Sequence, residues 1–175
     1  MTQQASPIRY VVRRCWLGSI LVARGDARLA AVLLGDDADA LARDLQRRFP
    51  EAAPSADDPR FERFVDEVVR CIEAPASLCE LPLDLRGTAF ERRVWQALRE
   101  IPAGSTVTYS EIAARLDSPH ASREVGEACA ANPLAVVVPC HRVVRKGGGL
   151  GGYRWGMRRK RALLAREAVT WRLTS

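Results

Sequence analysis

No stretch of the 175 residues reaches the roughly 18 to 20 uncharged apolar side chains that would span a bilayer. Met1 to Arg14 also lacks the charged-then-apolar order of a signal peptide. A cytoplasmic protein with no membrane partner is therefore expected. Histidine is scarce: His120 and His141 are the only two and neither lies in a Cys/His cluster, which argues against a metal held by the protein. The five cysteines, Cys15, Cys71, Cys79, Cys129 and Cys140, form an odd set without a CxxC pair. Neither a disulfide framework nor a zinc ribbon is indicated, and reduced thiols are expected. The glycines from Gly147 to Gly152 make a flexible or tightly turning loop, but without the Gly-Lys-Ser/Thr ending of a phosphate cradle.

What is present suits a folded protein. Hydrophobic residues make up 47% and charged residues 27%, enough apolar surface to bury a core, and the length fits one larger domain or two small ones. The net charge of +6 is unevenly placed: residues 1–84 carry 11 basic and 14 acidic side chains, residues 85–175 carry 16 and 7. From Ala135 onward there are ten cations and one acid, Glu167. Such a segment either attracts a polyanion or forms a solubilising helix face, and composition alone leaves both open.

Short apolar runs at Tyr10 to Cys15, Ser19 to Ala23 and Leu29 to Leu34, with turn signals at Gly18 and Gly25-Asp26, read as an antiparallel meander. Asp36 or Asp37 can cap a helix carrying Leu41, Leu45 and Phe49. A second helical pattern carries Phe61, Phe64, Val65, Val68 and Ile72, and Leu81 to Leu85 looks extended. This half proposes no chemistry, and its apolar positions read as core. After Gly87 the character changes. Thr88 and Glu91 form a capping box ahead of Phe90, Val94, Trp95, Leu98 and Ile101 on one helical face, which puts a boundary near residue 86. Helices at about 110–116 and 121–131, broken at Ser118-Pro119, fit a helix-turn-helix. The second is rich in small residues (Gly126, Ala128, Ala130, Ala131), which suits insertion into DNA or tight helix packing. Ala135 to Val138 reads as a buried extended run. The last helix, from about Trp155 to Ala168, should turn Leu163 and Leu164 inward and its cations outward.

Cys140 stands beside His141 in an otherwise apolar approach. A thiol is a strong nucleophile as thiolate, and a nearby base favours that form. Adjacent side chains on extended backbone diverge, so the pair would communicate through a water. On these residues alone a buried structural cysteine remains the stronger reading, since free cysteine is often core. A cysteine hydrolase needs a base from elsewhere, and His120 sits in a polar turn with no third partner.

Pro139-Cys140-His141-Arg142-Val143-Val144 changes that weighing. Together with TYSEIA at Thr108 to Ala113, REVGEACAANPLA at Arg123 to Ala135, GYRWG at Gly152 to Gly156 and LLAREA at Leu163 to Ala168, it resembles the methylated-DNA-protein-cysteine methyltransferases, also called O6-alkylguanine-DNA alkyltransferases. LLGDD at Leu33 to Asp37 and LPLDLRGTAF at Leu81 to Phe90 extend the likeness, in particular to the C-terminal domain of the Ada adaptive-response proteins.

The resemblance implies an α+β chain of two domains. Residues 1–86 would form a ribonuclease-H-like α/β domain, and 87–175 a mainly helical, winged-helix-like domain with a helix-turn-helix. It implies irreversible transfer of a methyl group from O6-methylguanine, and from O4-methylthymine, in double-stranded DNA to Cys140, by a monomer without cofactor. His141 would draw the thiol proton through water, Glu167 would orient His141, and Asn132 would brace the active-site turn. Tyr109 would donate toward N3 of the departing guanine. Arg123 would fill the gap left by a flipped base, with Ala130 and Ala131 entering the minor groove, whose width of about 6 Å excludes bulky side chains. Val143, Tyr153, Arg154, Trp155 and Ala135 would line the pocket, the indole narrowing it against O6-benzylguanine. The zinc-cysteine module and AraC-like region of full Ada proteins have no counterpart in this sequence, so regulation by self-methylation is not expected of it. The rival from another class is a damage binder that flips the base without accepting the alkyl group, against which Cys140 itself speaks. A plain transcription regulator would instead prefer one undamaged sequence.

Overall fold

The computed structural model describes residues 6–75 and 79–174. The chain divides into two compact units, one of Met1–Ala74 and Cys79–Leu85, the other of Pro75–Leu78 and Arg86–Ser175.

The first unit is built on a four-stranded sheet. Strands β1 (Arg9–Cys15), β2 (Gly18–Gly25) and β3 (Arg28–Gly35) form the antiparallel meander, and the short β4 (Ala53–Pro54) lies parallel to β1, giving the order β3-β2-β1-β4. The turns fall where the sequence marks them: Gly18 takes φ 114° and Asp26 φ 53°, both in the left-handed region. β2 and β3 are buried on both faces, so they read as nearly continuous Ile, Leu, Val and Ala runs rather than alternating ones.

Helix α1 (Ala38–Arg48) starts at Asp37, whose carboxylate accepts from the Ala40 amide, and buries Leu41 and Leu45. A Cβ on Gly35 would lie 2.9 Å from Leu41, so only glycine lets the β3 end approach this helix. Helix α2 (Pro59–Glu73) is capped by Asp58 and buries Phe61, Val65, Val68 and Ile72. Leu83 bridges to Leu29, the extended segment expected there.

One expectation fails here. Cys71 and Cys79 are joined as a disulfide with their α-carbons 5.6 Å apart. Counting cysteines could not show this, because the pairing depends on the fold bringing the two α-carbons together; Cys15, Cys129 and Cys140 are in no disulfide.

The second unit is mainly helical. In α3 (Ala89–Arg99) the Thr88–Glu91 capping box is formed in both directions. Trp95 is fully buried and its indole N–H donates to the Ala128 carbonyl at 2.9 Å, fixing α3 against α5 (Ser122–Ala131). Gly87 passes so close to that indole that a Cβ would lie 2.5 Å from it. Between these helices, β5 (Val107–Thr108) runs into α4 (Tyr109–Arg115), which has its own capping box at Thr108 and Glu111. β5 pairs in parallel with β6 (Val143–Val144), and α6 (Met157–Thr174) closes the unit.

Two further expectations are corrected. Ala135 to Val137 form a turn rather than an extended run, with Val136 at φ 67°. A β-branched residue rarely takes that conformation, and here the surrounding hydrogen bonds of Asn132 impose it. In α6, Leu163 is fully buried but Leu164 only partly, and the cations Arg159 and Lys160 point inward instead of out. Among the described residues no helix is long and apolar enough to cross a membrane.

Candidate active site

The site grows from the turn that follows α5. Asn132, fully buried at the helix end, accepts from the Leu134 amide at 2.9 Å and donates to the Val138 carbonyl at 3.0 Å and to Cys140 Sγ at 3.3 Å. One amide thus shapes the loop and holds the sulfur at its end. Cys140 opens a single 3₁₀ turn, Cys140–Arg142. With about three residues per turn, neighbouring side chains point some 120° apart, so Cys140 and His141 diverge for a different reason from the extended backbone expected.

His141 is completely buried, and its Nε2 lies 2.8 Å from Glu167 Oε1. A carboxylate only accepts, so Nε2 carries the hydrogen and Nδ1 is left with its lone pair. That Nδ1 is buried and has no protein partner. Burial holds the imidazole below its ordinary pKa even though Glu167 pulls the other way, so the ring is neutral near pH 7. Burial opposes charge on Glu167 too, but hydrogen bonds from His141 and Arg142 outweigh it and keep the carboxyl below the usual range.

Cys140 is 4% exposed. Burial pushes its thiol up to about 11, with the Asn132 hydrogen bond and the Lys160 charge pulling back only in part. The resting sulfur is therefore a thiol. The thiolate expected from the sequence forms only when a base removes the proton.

Around this centre the structure gathers most of the residues singled out beforehand. Val143 is fully buried in β6, and Ala135 is fully buried in the strained turn. Tyr153 stands edge-on to both His141, 6.4 Å between centroids, and Trp155, 5.3 Å. Tyr153 Oη and Trp155 Nε1 are buried without a protein partner, as is His141 Nδ1. Arg154 lies over the Trp155 ring and donates to the Asn132 carbonyl at 3.3 Å. Tyr109 opens α4 between α5 and the glycine loop: a Cβ on Gly126 would sit 3.8 Å from its ring, and one on Gly151 2.8 Å from its hydroxyl. Gly151 also needs its φ of +71°, so glycine is required there twice over. Burial raises the pKa of Tyr109, keeping the phenol a donor.

Arg123 and Ala130 lie elsewhere, on the outer face of α5. The Arg123 side chain is 89% exposed and pairs with Glu127 at 3.2 Å. Ala130 is exposed, and Ala131 is partly covered.

Two cations were missed beforehand. Arg142, buried beside His141, donates from Nε and Nη2 to Glu167 and from Nη1 to the Ile101 carbonyl at 2.6 Å. Lys160, fully buried, donates to the carbonyls of Val143 at 2.7 Å and Gly152 at 3.1 Å, joining β6 to the pocket loop. A signal for Lys160 existed in its spacing: positions 160, 163 and 167 share one helix face with the inward Leu163 and Glu167.

Comparison with known proteins agrees with this geometry. The family model for the 6-O-methylguanine DNA methyltransferase DNA-binding domain matches residues 89–169. The Escherichia coli bifunctional transcriptional activator/DNA repair enzyme Ada is 49% identical over 161 residues, which are 92% of this chain and 46% of that protein. The chain thus spans about half the length of this relative. An inducible methylated-DNA-protein-cysteine methyltransferase of Bacillus subtilis is 42% identical over 70% of this chain and 68% of its own. The crystal structure of Mycobacterium tuberculosis OGT in complex with DNA superposes with a TM-score of 0.72 at 35% identity, covering 93% of this chain and 92% of that one. With relatives of this identity and coverage, the chain belongs to the methylated-DNA-protein-cysteine methyltransferase family.

Proposed function

We propose that this chain repairs DNA by direct reversal, moving the methyl group of O6-methylguanine, and of O4-methylthymine, from double-stranded DNA to Cys140 once and irreversibly. The observation that carries the reading is the His141–Glu167 hydrogen bond at 2.8 Å, which leaves a buried Nδ1 without a protein partner on the residue that follows Cys140. A water between Sγ and Nδ1 takes the thiol proton to the imidazole, and Glu167 stabilises the imidazolium so formed. Sulfur then attacks the methyl carbon. The new S–C bond takes the sulfur lone pair, the C–O6 bond breaks, and its electron pair stays on guanine. Tyr109 donates to N3 as that charge develops. Nucleophile, base and donors all come from side chains.

The thioether product has no electrophilic carbonyl for water to attack, so turnover stops at one. Because Cys140 is only 4% exposed, the lesion must leave the base stack to reach its sulfur. Arg123, exposed on α5, fills the space left behind, while Ala130 and Ala131 let that helix approach the narrow minor groove. Helices α4 and α5 across the Asp117 to Ala121 turn act as the helix-turn-helix of a winged-helix-like unit. The order β3-β2-β1-β4, with β4 parallel to β1, supports a ribonuclease-H-like first unit. The acting species is a monomer, and domain limits near residue 86 follow the change of character at Gly87.

Intact-mass measurement after exposure to O6-methylguanine DNA tests the reaction. The unaltered chain is expected to gain one methyl, and Cys140→Ala none. Retention of the methyl on DNA would instead mark a damage binder, and repeated turnover a hydrolase.

A further inference from the structure

The fork of Arg142 takes no part in the proton relay, yet it grips the same carboxylate. Its Nη2 lies 2.8 Å from Glu167 Oε1 and its Nε 3.1 Å from Oε2, while Nη1 and Nη2 also reach the Ile101 and Pro75 carbonyls at 2.6 Å and 3.2 Å. The side chain is nine-tenths buried, and Glu167 is fully so. Glu167 Oε1 therefore serves two donors, His141 and Arg142.

A buried carboxylate facing only a histidine would favour the protonated ring, because a charge of opposite sign at hydrogen-bond distance is strong where water is excluded. The ring would then stay protonated to a higher pH, and an imidazolium has no lone pair on Nδ1 and no capacity to take the thiol proton. We propose that Arg142 is a positioning residue that cancels the charge of Glu167, so that His141 rests as a neutral base and gains a charged partner only as the proton arrives. This rests on the reading of Cys140 and His141 as acceptor and base.

The other groups facing His141 do not replace it. Lys160 of α6 bonds two carbonyls and adds positive charge, while Cys140 and Tyr153 are neutral neighbours held up in pKa by burial. Of α3, which packs against the 3₁₀ turn, Arg92, Arg93 and Arg99 are exposed and Glu91 is engaged in its capping box. Burial and the positive charges of Arg142 and Lys160 depress His141 together against Glu167.

The test is the titration of His141 by NMR of labelled imidazole in the unalkylated chain. In the unaltered protein His141 is expected to titrate below 6.5. Arg142→Gln is expected to raise its midpoint by about one unit or more, and Arg142→Lys to restore most of the difference. The rising limb of the pH dependence of methyl transfer should move with it, whereas a merely structural role lowers the rate equally at every pH. If Arg142→Gln does not fold, the comparison is made between Glu167→Gln and the doubly neutral Arg142→Gln/Glu167→Gln, in which loss of the guanidinium must again raise the midpoint. A folded variant with an unmoved His141, or Arg142→Lys behaving as Arg142→Gln, overturns the proposal. If no methyl reaches Cys140 in the unaltered chain, the reading of function fails, and the titration still decides the role of Arg142.

Discussion

Methylation of Cys140 should destabilise the protein, and the size of the effect follows from where the sulfur sits. Cys140 is 4% exposed, and its Sγ accepts from Asn132 Nδ2 at 3.3 Å and stands at the end of a loop already holding Val136 at φ 67°. Adding a methyl group to a closely packed interior forces neighbours aside at about 1–3 kcal/mol. The Asn132 bond to sulfur is the first contact in its way, and Asn132 cannot shift without disturbing its bonds to Leu134 and Val138. For a chain of this length each kcal/mol moves the melting midpoint by about 2–4 °C, so methylation should lower it by about 2–12 °C. Scanning calorimetry on the chain before and after reaction with methylated DNA, freed of DNA in both cases, measures this. Cys140→Ala treated identically should show no change. An equal or higher midpoint after methylation would mean that the pocket has room for the product and that the packing argument is wrong.

Asn132→Ala should cost about 1–3 kcal/mol in urea unfolding, because it strands the buried Leu134 amide, while the Val138 carbonyl keeps the Cys140 amide as donor, and methyl transfer should fall with it; a loss under about 0.5 kcal/mol would show that the turn is held by other contacts. Stability should decline in alkali: the Cys140 thiol is raised from 9 to about 11 in the fold, so its contribution is full below 9 and is lost as pH climbs through that window. Cys140→Ala, compared by denaturation across the same pH range, should lose that part of the slope. At the acid end the depressed Glu167 contributes above its unfolded value of 4.5 and loses that contribution as pH falls through its lower folded value; Glu167→Gln should flatten that limb. The reading of Trp155 as a wall of the substrate pocket predicts that inactivation by O6-benzylguanine is slow relative to O6-methylguanine and speeds up in Trp155→Gly; equal rates in the unaltered chain would remove the indole as the barrier.

Much of this molecule was legible one segment at a time. The meander, the α1 helix after Asp37 and the capping boxes at Thr88 and Thr108 depend on hydrogen bonds and apolar spacing within a few residues, which a chain writes directly. The PCHRVV motif singled out Cys140 and its neighbour, and only likeness to a family linked His141 to Glu167, 26 residues on. Tertiary structure alone decided the rest. It folded Ala135 to Val137 into a turn around the Asn132 amide, joined Cys71 to Cys79, and carried Arg142 and Lys160 into the interior. It also made the resting sulfur a thiol. For the cations and the sulfur the reason is that burial and charge pairing are set by groups far apart in sequence, and a cation's fate depends on which carboxylate or carbonyl the fold brings to it, which no local spacing records.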